Sequence, residues 1–477
     1  MPSRLWRFGA ALLSGGLQYL ATGLEPWWWA AWLAPIPLLV AAFRASTREA
    51  WALAAVAALI GSASTASYYA MFIGPVGSAS VMLLRGLVLG IVVARTRVVV
   101  LGSRHRLTAF VYPALMAGFD TIVAAVSRDG TIGSLAYSQM AALPVIQIAA
   151  LAGTPGIVFV VSLFGVLAAI VWHCRTDIDK PWLAYGLPSA VIVAVLAYGS
   201  VRLANDSAAS AIPVGLIAID RGAPAPLNSL GTDDPVWADY AAAVSGLARQ
   251  GAKVVVLPEK IARLDRAAAD RLRARLGHVA SDNAVYLLAG VALFESDHRG
   301  NRAWLFAPNG ELIADYAKHH LIPGLEASFT PGRELIVRSV GTGRLGIAIC
   351  RDMDFPALGR RYAALGANAL LVPAWDFDRD AWSHARMAIL RGVESGFAVV
   401  RAARNGLLTV SDRYGRIVDV AASRSAPVAG LAVLAPFGSG AATVYARIGD
   451  VFGWLCVISS AAGWLASLRS RWSRRTT

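Results

Sequence analysis

The stretch RLGIAICRDMDFP, residues 344–356, decides the fold of the region around it. Residues 345–349 alternate between small and apolar side chains, which is typical of a short buried β-strand, and Cys350 stands where this strand ends. Charged residues follow at once, so the thiol lies at the mouth of a turn, where a sulfur can face a pocket and act as a nucleophile. A free cysteine is more commonly a small buried core residue, so this segment alone leaves both interpretations open.

The composition of the chain indicates a membrane protein. The sequence has 477 residues, of which 56% are hydrophobic, and its mean hydropathy is +0.54. These values are too apolar for a purely soluble enzyme and predict several membrane spans. The net charge of +14 is explained by arginines that flank membrane helices. No basic stripe with interleaved aromatic residues appears in the polar part, so we expect no nucleic-acid partner.

Eight apolar segments predict the domain organisation. Seven of them lie in the first 204 residues, and we place them at about 5–23, 27–43, 50–72, 77–100, 107–126, 155–174 and 184–204. No small-residue cleavage site follows the first, which is therefore predicted to be an anchor and not a removed signal. The expected organisation is a membrane domain over 1–204, a polar domain over 205–440, a C-terminal span over 447–468 and a basic tail over 469–477.

Positively charged residues predict the orientation, because cytoplasmic loops are enriched in arginine and lysine. They occupy alternate connections and the two ends of the chain: Arg4 and Arg7; Arg44 and Arg48; Arg95, Arg97, Arg104 and Arg106; Arg175 and Lys180; Arg469, Arg471, Arg474 and Arg475. Both termini are therefore expected in the cytoplasm, with residues 205–446 and the interfacial tryptophans 27–29 on the outer side. The connection 127–154 is either a re-entrant segment or a plain interfacial connector.

From Ile212 onward the pattern changes to short β-rich runs that alternate with amphipathic helical stretches. Strands are predicted at 212–219, 253–259, 285–293, 303–308, 345–350, 369–374 and 397–403. Helices are predicted at about 234–250, 261–278, 355–365 and 380–395. Alternation of this kind makes an α/β domain in which helices cover a sheet. Gly438 and Gly440 are expected in a linker that leads back to the last span.

The number and spacing of the cysteines argue against a disulfide within the polar domain and against a structural zinc site. There are three of them, Cys174, Cys350 and Cys456, and no CxxC or Cys/His ligand spacing exists. Only Cys350 lies in the polar domain.

Three segments of the polar domain offer a coherent set of reactive groups. Glu259 ends the apolar run VVVLPE, Lys318 and Glu326 lie in DYAKHHLIPGLE, and Cys350 follows LGIAI. A carboxylate can take the thiol proton, an ammonium can stabilise the thiolate and then an oxyanion, and the thiol can hold an acyl group. Each residue also has a plainer explanation: a helix cap for Glu259, a solvated lysine for Lys318 and a loop charge for Glu326.

These motifs resemble the nitrilase (carbon–nitrogen hydrolase) superfamily, whose Glu-Lys-Cys triad appears in this order. The matches are Glu259 in LPEK, Lys318 in AKHHLIP and Cys350 in ICRD, followed by Pro373-Ala374-Trp375, His384, the run 391–395, Arg404-Asn405-Gly406 and Gly415-Arg416. Eight spans with an outward-facing nitrilase-like domain between the last two resemble the apolipoprotein N-acyltransferase family in particular. The segment 133–165 is also similar to that family's outer loop and sixth span.

Two motifs depart from the family pattern. The family usually has Phe-Gly-Glu where this chain has Gly324-Leu325-Glu326, and Cys-Tyr-Glu where it has Cys350-Arg351-Asp352. The second glutamate is therefore kept, the acid after the nucleophile is one methylene shorter, and Arg351 replaces an aromatic residue. These changes affect the expected acceptor and acyl-chain preference and leave the triad intact.

The resemblance implies a polytopic α-helical membrane domain joined to an α-β-β-α sandwich. It implies a bacterial cell (inner) membrane enzyme, active on the periplasmic side as a monomer, without metal or organic cofactor. A fatty acyl group would pass from a phospholipid to Cys350 as a thioester, and then to the α-amine of the diacylglyceryl-cysteine of an apolipoprotein. Glu259 would act as base, Lys318 would stabilise the oxyanion, and Glu326 and Asp352 would support them.

Four apolar residues near the reactive motifs are candidates for the wall of the acyl path: Leu325, Phe329, Trp375 and Phe377. Ordinary core or loop packing explains them equally well. Two other functions stay open at this point. One is a membrane-anchored amidase or nitrilase that passes its acyl group to water, and the other is a non-catalytic scaffold that binds lipoproteins.

Overall fold

The structure, a computed structural model, describes residues 2–102, 107–173, 181–204, 211–220, 235–294, 299–437 and 441–476. The chain divides into two compact units, Met1–Asn205 with Ile448–Thr477, and Asp206–Arg447. Several predictions concern residues outside the described ones: the thiol Cys174, the linker glycines Gly438 and Gly440, and the charges Arg104, Arg106, Arg175 and Lys180.

The first unit is helical, because a helix satisfies its own backbone hydrogen bonds where water is absent. Its helices are α1 (Pro2–Thr22), α2 (Trp28–Leu33), α3 (Pro35–Phe43), α4 (Thr47–Gly102), α5 (Val111–Val126), α6 (Leu143–Ile146), α7 (Ala149–His173) and α8 (Pro181–Ala204), with a C-terminal helix Val451–Thr476. Helix α4 is broken at Gly74, which has a φ of 72° and is followed by Pro75. This break lies between the two spans predicted at 50–72 and 77–100.

Among the described residues, four helices are long and apolar enough to cross a membrane: Thr47–Gly102, Thr108–Val126, Ala149–His173 and Ala184–Ala204. Trp28–Phe43 and Val451–Leu465 are shorter apolar helices. The predicted span at 5–23 coincides with α1, which is helical but is not one of these six. The eight-span organisation therefore stays a prediction.

The connection between α5 and α7 is packed into the first unit. It contains a 3₁₀ turn, Leu135–Gln139, in which Gln139 is buried. The Gln139 side-chain amide accepts a hydrogen bond from Trp32 Nε1 at 2.7 Å and donates to the Trp28 carbonyl oxygen at 2.9 Å. The side-chain amide of this buried turn is therefore hydrogen-bonded within the unit.

The second unit is a pair of β-sheets flanked by helices. The strands are β1 (Ala211–Ala218), β2 (Val254–Val256), β3 (Arg263–Leu264), β4 (Tyr286–Phe294), β5 (Arg299–Phe306), β6 (Leu312–Ala317), β7 (Val337–Val340), β8 (Gly343–Ile347), β9 (Ala369–Trp375), β10 (Ala398–Arg404), β11 (Leu407–Ser411), β12 (Ile417–Ala422) and β13 (Ala429–Pro436). One sheet has the order β13-β1-β2-β4-β5-β6, with β3 beside β4, and the other has the order β12-β11-β10-β9-β8-β7.

Apolar residues from the inner faces of both sheets form one core between them, which includes Val256, Leu288, Ile347, Leu371 and Val400. Two helices, α9 (Val236–Arg249) and α10 (Arg266–Asp282), cover the outer face of the first sheet. Two more, α11 (Pro356–Ala364) and α12 (Ala381–Ser395), cover the second. A short helix, α13 (Val444–Ile448), follows. The α-β-β-α sandwich predicted by resemblance is therefore confirmed.

Each of the seven predicted strands and four predicted helices of this unit has a counterpart within a few residues. Two strand ends were misplaced. Strand β2 ends at Val256 and not at Glu259, and β8 ends at Ile347, so Cys350 lies in a separate 3₁₀ turn, Cys350–Asp354. The sequence did not predict β3, β6, β7, β11, β12 or β13, most of which carry too many polar or exposed residues to produce a buried-strand pattern.

Candidate active site

Strand direction gathers the reactive residues at one edge of the sandwich. Strands β1, β2 and β4 are parallel, as are β8, β9 and β10. Strand β6 runs in the same direction as β4, because it is separated from β4 by two antiparallel pairings. The loops that follow β2, β6 and β8 carry Glu259, Lys318 and Cys350 respectively. In sheets of this kind ligands bind beyond the carboxyl ends of the strands.

Glu259 is held in a tight turn after β2. Its backbone N–H donates to the carbonyl oxygen of Ala374 at 3.2 Å, which connects this turn to the end of β9 in the other sheet. Gly290 on β4 permits the turn to approach, since a Cβ there would lie 2.6 Å from the Glu259 Cα. The Glu259 side chain is buried.

Glu259 and Lys318 are in direct contact. Lys318 Nζ donates to Glu259 Oε1 at 2.9 Å and also lies 3.0 Å from Glu326 Oε2, and the lysine is 0% exposed. Burial opposes the charge on Lys318, but Glu259 and Glu326 raise its pKa above the usual range. The ammonium therefore stays charged in a buried site.

Glu326 accepts hydrogen bonds on both carboxylate oxygens. Oε1 accepts from Lys260 Nζ at 2.6 Å and from Asn301 Nδ2 at 2.7 Å. Oε2 contacts Lys318 and accepts from the Ile322 backbone N–H at 2.8 Å. Burial would raise the pKa of Glu326, but Lys318 and Lys260 hold it at about 2. Glu326 is thus an ionised anchor to which two lysines are attached.

Cys350 occupies a constrained position after β8. Its φ is 44°, in the left-handed region that non-glycine residues rarely adopt, and such strain is typical of functional turns. The sulfur lies 3.7 Å from the carbonyl oxygen of Trp375. Burial and the charge of Glu259 raise the pKa of Cys350 well above its usual range, while Lys318 acts in the opposite direction. The sulfur is therefore a thiol at rest.

Asp352 fixes the backbone on both sides of the site. Oδ1 accepts hydrogen bonds from the backbone N–H groups of His319 and His320 at 3.2 and 2.8 Å, and Oδ2 accepts from Ile349 N–H at 3.0 Å and from Tyr316 Oη at 2.7 Å. The carboxylate thus ties the residues after Lys318 to the residue before Cys350. Arg351 adds a second tie, since its guanidinium donates to the Leu321 carbonyl oxygen.

Two further residues belong to the cluster and were not predicted. Asn301, near the start of β5, donates from Nδ2 to Glu259 Oε1 at 2.5 Å and to Glu326 Oε1 at 2.7 Å. Lys260 also contacts both carboxylates, at 3.7 Å from Glu259 and 2.6 Å from Glu326. A polar residue within the buried run RGNRAWLF is the one sequence signal that could have indicated Asn301.

The structure separates the four residues predicted to line an acyl path. Phe329 is buried and packs edge-to-face on Phe294 with ring centroids 5.2 Å apart, and Trp375 is half-buried. The Lys260 ammonium lies between them, 5.9 Å from the Phe329 ring and 5.6 Å from the Trp375 ring. Leu325 and Phe377 are exposed, at 65% and 37%. The first pair therefore contacts the charged cluster, while the second pair lies at the surface of this unit.

A second set of charges, most of them buried, comprises Asp376, Arg401, Asp380 and His384. Asp376 accepts two hydrogen bonds from Arg401, one of them Nη1–Oδ2 at 3.0 Å, and both residues affect the pKa of Cys350. His384 lies 3.1 Å from Asp380 Oδ2. Burial opposes the charge on His384, but the hydrogen bond to Asp380 raises its pKa to about 9. Among the described residues, no group of three or more His, Cys, Asp or Glu side chains is arranged to hold a metal ion.

The fold defines a carbon–nitrogen hydrolase domain, and residues 223–431 match the family model for carbon–nitrogen hydrolases. Residues 14–167 match the model for the apolipoprotein N-acyltransferase N-terminal domain. An apolipoprotein N-acyltransferase from Geobacter metallireducens is 27% identical and aligns over 94% of this chain and 93% of its own. The chain therefore belongs to the apolipoprotein N-acyltransferase family, as its motifs predicted, and is a membrane-bound acyltransferase.

Two other relatives match over shorter regions. An apolipoprotein N-acyltransferase from Thermotoga maritima is 32% identical over 27% of this chain and 26% of its own. A deaminated glutathione amidase from Synechocystis sp. is 32% identical over 33% of this chain and 67% of its own. Both the acyltransferase and the amidase branches of the superfamily are thus similar to parts of this sequence.

Proposed function

We propose that this enzyme transfers a fatty acyl group from a membrane phospholipid to the α-amine of the diacylglyceryl-cysteine of apolipoproteins, with Glu259, Lys318 and Cys350 as its catalytic residues. The observation that supports these roles is the buried 2.9 Å contact between Lys318 Nζ and Glu259 Oε1, beside a thiol whose pKa responds to both charges. Membership of the family supports the lipid substrates.

Glu259 is the general base because it has an oxygen left to accept a proton. Its hydrogen bonds from Asn301 and Lys318 both end on Oε1, and among the described residues none ends on Oε2. Both oxygens of Glu326, in contrast, are occupied by donors. A carboxylate that is saturated with hydrogen bonds to its ionised form is a poor base, so Glu326 positions the lysines.

In the first half-reaction, Glu259 takes the proton of Cys350 as the sulfur attacks the sn-1 ester carbonyl of the phospholipid. The carbonyl oxygen becomes an oxyanion, which the Lys318 ammonium stabilises in a site that excludes water. The carbon–oxygen ester bond then breaks. The lysophospholipid leaves with the proton held by Glu259, and the acyl group remains on the sulfur as a thioester.

In the second half-reaction, the uncharged α-amine of the apolipoprotein attacks the thioester carbonyl. Glu259 accepts a proton from the amine, and Lys318 again stabilises the oxyanion. The carbon–sulfur bond breaks and an amide is formed. The proton on Glu259 returns to the sulfur of Cys350, so the enzyme regains its resting state and no cofactor is consumed.

We also propose that both termini lie in the cytoplasm and that the catalytic unit faces the periplasm of the inner membrane. The clustering of positive charge in alternate connections supports this orientation. Reporter fusions after residue 205 and at the C-terminus test it. A periplasmic reporter should be active only in the first fusion, and the reverse result would show that the orientation is inverted.

Replacement of Cys350 by Ala tests the proposed chemistry. In cells depleted of their own N-acyltransferase, the variant should leave lipoproteins diacylated, as measured by mass spectrometry of their N-terminal peptides. Cys456→Ala, which removes a buried cysteine in the C-terminal helix, is the matched control and should retain activity. Triacylated lipoprotein in the Cys350→Ala strain would show that the proposed nucleophile is wrong.

Two glutamine variants separate the base from the anchor. Glu259→Gln should reduce acylation of Cys350 by about 10³-fold, since positioned general bases contribute 10²–10⁴-fold. Glu326→Gln should reduce this acylation less, because it weakens the placement of the lysines and leaves the base intact.

Mass spectrometry of trapped Cys350 identifies the acyl group, and a small polar adduct in place of a fatty acyl thioester would indicate an amidase.

A further inference from the structure

Lys260 is a buried charged group of the site that the reaction above does not use. It follows Glu259 directly and is only 7% exposed. Its ammonium lies 2.6 Å from Glu326 Oε1 and 3.7 Å from Glu259 Oε1, so it faces the same pair of carboxylates as Lys318. The rings of Phe329 and Trp375 cover it at 5.9 and 5.6 Å.

The backbone at Lys260 is unfavourable for a lysine. Its φ is 50°, in the left-handed region where glycine and asparagine fit most easily and a lysine is strained. Burial of an ammonium adds a desolvation cost that only close opposite charge can offset. Lys260 has both of these unfavourable features. We therefore expect its side chain to have a specific role in the cluster.

Charge balance shows what that role is. Two carboxylates, Glu259 and Glu326, share the ammonium of Lys318, and one lysine cannot neutralise two buried acids. Lys260 brings the set to net zero. The set stays at net zero when the Cys350 proton moves to Glu259, since a thiolate replaces a carboxylate. Without Lys260 the cluster would carry one excess negative charge, and a proton would bind to one of the acids.

We propose that Lys260 is a positioning residue, whose charge keeps both carboxylates ionised and so keeps Glu259 available as the base for Cys350. The inference rests on the proposed function for the role of that base. The other charged groups around Lys260 are Lys318 and Arg404, whose Nη1 donates to the Lys260 carbonyl oxygen at 3.4 Å. The ion pair of Asp376 and Arg401 also acts on the thiol, since the first raises and the second lowers the pKa of Cys350.

The test is the pH dependence of Cys350 alkylation by iodoacetamide, measured on the full chain in detergent with Cys174 and Cys456 replaced by Ala. Lys260→Met should move the pH at which alkylation reaches half its maximum upward by about one to two units, as expected when one of the two positive charges of the carboxylate cluster is lost. Lys260→Arg retains the charge and should keep the wild-type profile. Lys253→Met removes an exposed lysine of the same unit and is the matched control.

A double variant separates charge balance from simple structural damage. Lys260→Met with Glu326→Gln restores net zero, so its half-maximum should return toward the wild-type pH even if the maximal rate is lower. An unchanged profile in Lys260→Met, or a double variant displaced as far as Lys260→Met, would overturn the inference. If Lys260→Met does not fold, the comparison starts from Glu326→Gln. That variant alone should lower the pH of half-maximal alkylation, and adding Lys260→Met to it should raise that pH again. An unchanged pH on this addition would refute the inference.

The readout is independent of acyl transfer. Iodoacetamide reports on the thiol whatever acyl donor the enzyme uses, so the Lys260 inference can hold even if lipoprotein acylation is not found. Conversely, Cys350→Ala can abolish acylation while Lys260→Met leaves the alkylation profile unchanged. In that case the proposed function stands and the proposed role of Lys260 is wrong.

Discussion

Asn301 offers the sharpest test of how the site is held together. One side-chain nitrogen donates to both carboxylates, to Glu259 Oε1 at 2.5 Å and to Glu326 Oε1 at 2.7 Å. Asn301→Leu keeps the volume of the side chain and removes both hydrogen bonds. The backbone pairing is retained, since the bond from Lys318 N–H to the Asn301 carbonyl oxygen does not involve the side chain. The buried Asn301 Oδ1 has no partner among the described atoms, so leucine removes no bond there.

The magnitude follows from the charge on the acceptors. A hydrogen bond to an ionised group contributes about 1.5–3 kcal/mol, and the two lysines on the same oxygens compensate for part of that loss. Only the bond to Glu259 acts directly on the base. We therefore expect kcat/KM to fall by about 10- to 100-fold, which corresponds to about 1.4–2.7 kcal/mol of transition-state stabilisation.

The assay uses purified enzyme in detergent, with a fluorescent phospholipid donor and a synthetic diacylated lipopeptide as acceptor. Thermal unfolding followed by tryptophan fluorescence shows whether the variant is folded. Asn283→Leu is the matched control, because its amide donates one hydrogen bond, to the Val279 carbonyl oxygen at the end of α10, far along the chain from the reactive loops. Wild-type kcat/KM in a folded Asn301→Leu enzyme would refute the role of this bridge.

Two further predictions concern the second set of charges, which includes Asp376 and His384. Gly406→Ala should lower stability by about 2–4 kcal/mol, as expected when a buried ion pair is disrupted, because a Cβ there would overlap Asp376 Oδ2; the unfolding midpoint measures this, and Gly430→Ala, with 3.9 Å to its nearest neighbour, is a control that should not change it. The pKa of His384 is about 9 in the folded protein, against 6.5 for an ordinary histidine. The stability that its charge provides is therefore complete below about pH 6.5 and is lost as the pH rises through about 9. His384→Asn should remove up to about 3 kcal/mol of this pH-dependent stability, and equal slopes of midpoint against pH for variant and wild type between pH 6.5 and 9 would contradict the assignment.

Gly324-Leu325 and Arg351, which stand where the family usually has other residues, shape two loops of the site. Arg351 is buried, and its guanidinium holds the loop that contains Leu321 against the nucleophile turn. Gly324 has a φ of 80°, which allows the chain to turn just before Leu325 and Glu326. Lys318 keeps its contacts with both Glu259 and Glu326 in the presence of these residues.

The local sequence determined the strands and the order of the reactive residues. Buried parallel strands appear as continuous apolar runs, so residues 253–259 and 345–350 could be recognised without tertiary information. Glu259 and Cys350 were indicated because each ends such a run, and charged residues follow Cys350 at once. The motifs around Lys318 then supplied the third member and the family. Strands such as β6 and β12 were missed, because their half-exposed residues form no continuous apolar run.

Only the tertiary structure decided which groups meet. Asn301 is placed by the pairing of β5 with β4 and β6. Lys260 is placed by a left-handed turn that no sequence pattern predicted. The donors to Glu326 come from separate segments of the chain. Charge balance in a buried site depends on distances of about 3 Å among such segments, and these distances are set by strand register and loop direction rather than by neighbours in sequence.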